Sequence, residues 1–130
     1  MNQKLICVGT LAQWNVRVVE KAGMSDGAAA YTLAPADQGT DVLALCLQNR
    51  KWHDVLTALI HEATEAQIHK WGLGYASSLI PRYDAGGFTF IVSHKQFSEI
   101  LDWVGLFVCQ VHNQVQNAWK KANCRAKKKK

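Results

Sequence analysis

A chain of 130 residues, 48% of them apolar and five of them tryptophan, suits one domain that builds its own core without disulfide staples. The formal charge of +5 sits at one end: Lys120, Lys121, Arg125 and Lys127 to Lys130 supply seven of the fifteen basic residues, and the remaining eight face ten acidic ones. No stretch approaches the ~18 apolar residues that cross a membrane, no signal peptide is evident, and Cys7, Cys46, Cys109 and Cys124 form no CxxC pair, so a cytoplasmic chain with reduced thiols and no membrane contact is expected.

Leu5 to Val8 is a short apolar run ending at Gly9, which predicts a first strand. From Trp14 to Lys21 the apolar residues alternate with polar ones, the period of a half-buried second strand. Gly23 to Gly27 has turn composition, Ala29 to Leu33 predicts a third strand, and Pro35 to Gly39 breaks the chain. Asp41 to Leu47 predicts a fourth strand, which completes a small, mostly antiparallel sheet.

A helix is expected from an Asn49 N-cap to Lys70 or Trp71, with Gly72 and Gly74 as its stop. On a wheel of 100° per residue, Val55, Leu56, Leu59, Ile60, Ala63 and Ala66 fill an arc of about 140°. His61, Glu62, Glu65 and His69 fill an arc of about 100° on the other side. Gly72 to Gly87, with Pro81 and no clear period, predicts a loop long enough to cover something. Phe88 to Val92 predicts a fifth strand.

Ser93 and Gln96 then match a capping box that opens a last helix. Phe97, Ile100, Leu101, Val104, Phe107, Val108, Val111, Val115 and Trp119 keep a 3.6-residue period along it. Gly105 within that helix suggests a close approach. The fold class expected is therefore α+β: a small antiparallel sheet, a central site helix and a long C-terminal helix. Residues 1–119 form the single domain, and 120–130 form a basic, disordered tail. The tail lacks interleaved aromatic residues, so it offers no platform for reading bases. Lys127, Lys128, Lys129 and Lys130 are the candidate contacts if nucleic acid is bound at all, and a plain solvated tail is the alternative.

Chemistry is concentrated in the middle helix. His61 and Glu65, four residues apart, lie one turn apart on one face and can reach one metal ion. Glu62 on the same polar face can take a proton from a metal-bound water without being a ligand, the logic of H-E-x-x-H helices. A third ligand must come from elsewhere, because one straight helix does not readily surround a tetrahedral ion. His94, in the first turn of the last helix, is the favoured donor, with His69 as its rival. The plain alternative is the solvated face of a surface helix for His61, Glu62 and Glu65, an ordinary place in a first helical turn for His94, and an interaction with the helix dipole for His69.

Leu59-Ile60-His61-Glu62-Ala63-Thr64-Glu65-Ala66 resembles the "LLHEiiEA" signature of small phage and bacterial zincin-like proteins, which are similar to minimal SprT-like or gluzincin-type metallopeptidase domains. The resemblance extends over roughly residues 4 to 118. It takes in a strand like Asp41 to Leu47, an aspartate like Asp54, a histidine like His94 opening the final helix, and Leu106 to Val111, similar to a late "LyQvL" stretch. Only His61 to Ala66 is specific. Peptidases of this kind carry a second histidine where Glu65 stands, which changes the charge of the site. The resemblance implies a minimal zincin-like fold and a zinc-dependent hydrolase, metallopeptidase-like. His61, Glu65 and His94 would hold Zn2+, Glu62 would be the catalytic base, and a peptide or protein would be the substrate, held by strand addition to a strand such as Asp41 to Leu47. The alternative expectation is a catalytically inactive, phage-encoded interaction protein on the same scaffold, binding a host or viral protein.

Overall fold

In the computed structural model the described residues are 3–22, 29–33, 39–70, 74–76, 88–90 and 93–128. Strands β1 (Gln3–Leu11), β2 (Trp14–Lys21), β3 (Ala29–Thr32) and β4 (Asp41–Leu45) form one sheet, followed by helix α1 (Trp52–Lys70), the short strands β5 (Gly74–Ala76) and β6 (Phe88–Phe90), and helix α2 (His94–Lys128). The arrangement is α+β. Apart from β5, the loop expected over 72–87 lies outside the described residues, as do the turn at 23–27 and Pro35.

The sheet runs in the order β1-β2-β4-β3 and is mixed. β1 and β2 form an antiparallel hairpin, and β3 pairs antiparallel with β4, but β4 enters the middle of the sheet parallel to β2. The chain thus passes from β2 to the far edge as β3 and returns between them. Alternation of side chains explains the result: Val16 and Val18 of β2 and Leu43 and Leu45 of β4 share one fully buried face, and only the central slot buries both strands so completely.

Both helices cover that face. Val55, Leu59, Ala63 and Ala66 of α1 and Ile100, Val104, Phe107, Val111 and Val115 of α2 close the core over Leu11, Val16, Val18, Leu43, Leu45 and Leu47. The two helices run antiparallel. Trp52, at the start of α1, meets Trp119 of α2 with ring centroids 5.8 Å apart, whereas Gln67 and Lys70, at its end, share a cavity wall with Trp103.

Two glycines exchange roles relative to expectation. β1 does not stop at Gly9 but runs through it, because Gly9 is where α2 comes closest: a Cβ there would sit 2.7 Å from Val111 Cγ1 and 2.9 Å from Phe107 Cε1. Gly105 packs against nothing; a Cβ there would meet open space. Gly105→Ala is accordingly expected to raise the unfolding free energy by about 0.5–1 kcal/mol through helix propensity alone. Chemical denaturation checks this, and a loss of stability would reveal a contact at that face.

The helix starts also divide. The capping box of α2 forms as expected: Gln96 N–H donates to Ser93 Oγ at 3.1 Å, and Ser93 N–H donates to Gln96 Oε1 at 2.9 Å. At α1 the first backbone bonds run from Asp54 and Val55 to the Lys51 carbonyl, so Asn49 is not the cap. Asn49 instead takes a left-handed conformation, φ 59°, which asparagine tolerates better than most residues, and its N–H donates to Asn123 Oδ1. Asn123 Nδ2 in turn donates to the Leu47 carbonyl, and Trp119 Nε1 donates to the Arg50 carbonyl. These bonds tie α2 to the β4–α1 connection beyond residue 119, the expected end of the domain. α2 continues to Lys128, so the backbone of 120–128, expected as a disordered tail, is helical.

Candidate metal group and a buried polar cluster

His61, Glu62 and Glu65 meet on the outward side of α1. One ligand atom from each lies within 4.8 Å of the others, and among the described residues no further group of this kind forms. His61 Nε2 is 3.0 Å from Glu65 Oε2, the i,i+4 contact expected from helical geometry. The His61 side chain is 63% exposed, so water reaches the group freely.

Glu62 differs from its neighbours for a reason visible on the wheel. It lies only ~20° from Val55, at the border of the buried face rather than opposite it. Partial burial is the largest cause of the upward shift of its carboxyl pKa; the charge of Glu65 adds to the shift, and His61 opposes it. Because the folded pKa is raised, the carboxyl favours the folded state fully only when protonated, and that contribution is lost as pH rises through the folded value. Glu62→Gln is therefore expected to raise the melting temperature at neutral pH. The gain should vanish below the ordinary carboxylate range, and a gain independent of pH would assign the effect to packing.

His94 does not join this group. The antiparallel pairing of Trp52 with Trp119, and of the end of α1 with Trp103, sets His61 level with about residue 110 of α2. His94 then lies ~16 residues, about 24 Å of helix axis, from that level, beyond the end of α1. The helical direction that fixes where His94 stands thus carries it away. His69 is not in the group either. Strand addition to β4 is also ruled out, because its two edges are already paired with β2 and β3. Lys127 and Lys128 end α2, and Lys129 and Lys130 lie outside the described residues.

A second polar arrangement lies inside the molecule and was not anticipated. Asp41, 3% exposed, accepts a bond from the Tyr31 hydroxyl at 2.7 Å and an ion pair from Lys70 Nζ at 2.7 Å, both at Oδ2. Lys70 Nζ also lies 3.6 Å from the centre of the Trp14 ring, a cation–π contact. Burial, then the hydrogen bond to Asp41 and its charge, push the Tyr31 hydroxyl pKa far up, so Tyr31 remains a donor across the working pH range. Beside this cluster Gln67 is 1% exposed, and neither Nε2 nor Oε1 has a hydrogen-bond partner. Each such group costs about 1–3 kcal/mol.

The signal for this cluster was on the wheel. Lys70 and Gln67 fall ~60° and ~120° from Val55, inside the apolar arc, and Asp41 opens an otherwise apolar strand. A charge on each of two core-facing elements anticipates a buried pair.

No family model, no curated protein and no solved structure matches the chain. Among the described residues, no helix is long and apolar enough to cross a membrane. The four cysteines are free thiols.

Proposed function

We propose that α1 carries a divalent-metal site, zinc by ligand type, with His61 and Glu65 as ligands and Glu62 beside them. The observation that carries this reading is the convergence of three ligand atoms within 4.8 Å. Imidazole and carboxylate together are a donor set that zinc accepts. The activity that fits such a site is zinc-dependent hydrolysis, metallopeptidase-like: an ion held by His61 and Glu65 would supply Lewis acidity toward a scissile carbonyl, and Glu62 would accept a proton from the attacking water. A catalytic zinc takes three protein ligands and a water, and with Glu62 kept as the base this group supplies two, His61 and Glu65. Turnover therefore depends on a third donor, whereas metal binding does not. A zincin-like ancestry and a cytoplasmic setting, the host cytoplasm for a phage-encoded chain, belong to this same proposal.

A second reading is favoured by the exposure of His61: a catalytically inactive, phage-encoded protein that binds a host or viral protein on this scaffold. A group this open does not exclude water as a reacting site does, yet a partner's side chains reach it easily.

Metal content after zinc-replete purification, with and without His61→Ala, tests the site. Stoichiometric zinc that is lost in the variant is expected; equal zinc in both proteins overturns the assignment. Glu62→Gln separates the readings, because hydrolysis should disappear with zinc retained, whereas partner binding should be unchanged.

A further inference from the structure

We propose that the cavity walled by Trp14, Gln67, Lys70 and Trp103 is a binding site for a neutral, planar heteroaromatic molecule of the nucleobase class, adenine-like in presenting a donor beside an acceptor. The cavity has a volume of about 300 Å³, and Ala12 and Gln13 of the β1–β2 turn also line it. That volume lies at the small end of the range for small-molecule sites.

Gln67 carries the inference. Its carboxamide belongs to a residue only 1% exposed, lines this cavity, and leaves both Nε2 and Oε1 without a partner. Buried polar atoms are ordinarily satisfied, and one left open at a cavity wall asks for an occupant. A carboxamide offers an acceptor and a donor side by side, the pattern that pairs with the N6/N7 edge of adenine through two bonds. A sugar, with hydroxyls around its whole rim, would need more partners than one amide supplies.

Charge narrows the class further. Among the described lining residues the one cation, Lys70, is already paired with Asp41 at 2.7 Å, so these residues offer no unpaired charge to a phosphate. The indoles of Trp14 and Trp103 supply the apolar, polarisable wall that bases favour. The site is independent of the metal group, since His61 projects ~120° or more around α1 from Gln67 and Lys70.

The test is calorimetric titration of the full chain with adenine, adenosine and a short single-stranded oligoadenylate, on wild type and Gln67→Leu. Saturable binding of adenine or adenosine is expected, weakened at least tenfold in the variant and insensitive to salt. Tighter binding of the oligonucleotide would place the base in a nucleic acid; equal or weaker binding would place it in a free base or nucleoside. In the unliganded state Gln67→Leu should melt higher than wild type, since it removes an unpaired amide. Should the variant misfold, the Gln67 side-chain NH₂ resonance of the wild type gives the same answer, moving on addition of adenine. No saturable binding, binding undiminished in a folded Gln67→Leu, or an NH₂ resonance unmoved by saturating adenine overturns the proposal and leaves water as the occupant.

Discussion

Lys70→Met is expected to lower the unfolding free energy by about 3–5 kcal/mol, the cost of stranding one member of a buried ion pair. Asp41 is 3% exposed and Lys70 11%, so water cannot take over the lost contact. The Tyr31 hydroxyl would remain as a donor to the carboxylate at 2.7 Å, but it does not neutralise the charge. Removing both charges should be far milder: Asp41→Leu with Lys70→Met exchanges the pair for apolar contacts, a replacement that is often neutral in other proteins. Urea denaturation of the two single variants and the double variant reads the coupling directly. A single-variant loss below about 1 kcal/mol would mean that the pair behaves as a surface salt bridge.

Phe107→Ala is the other large effect, expected to cost about 3–5 kcal/mol because the ring is fully buried where α2 packs on Gly9 of β1. Gly9 is its counterpart. Gly9→Ala forces a methyl to within 2.9 Å of Phe107 Cε1 and 2.7 Å of Val111 Cγ1, and such overpacking costs about 1–3 kcal/mol. The two changes should not add: with the ring gone, the new methyl enters part of the space it leaves. Denaturation midpoints across the four proteins test this, and strict additivity would show that α2 shifts away from β1 instead of holding its place.

The elements whose residues repeat regularly were the ones legible in the sequence. β2 follows its alternation from Trp14 to Lys21, and α2 begins at its capping box. The parallel pairing of β2 with β4 was hidden, because strand order depends on which faces are buried on both neighbours, and local pattern does not encode it. Asn49 departs from the expected N-cap for a related reason: a residue favoured at N-caps is also favoured at left-handed turns, and the partner that decides, Asn123, lies 74 positions away. On the candidate site, the i,i+4 relation of His61 and Glu65 was fixed by helical geometry alone, whereas the placing of His94 required the relative direction of α1 and α2. The internal cluster was legible in part. Lys70 and Gln67 stand among apolar phases, but the open amide of Gln67 emerges only once the packing is known.

Titration of ¹⁵N-labelled protein with zinc, following the imidazole nitrogens, tests the metal site most directly. Resonances of His61 should move to saturation at one equivalent while those of His94 stay in place. Joint movement of His94 and His61, or no movement of His61 at all, would contradict a site built by α1 on its outward face.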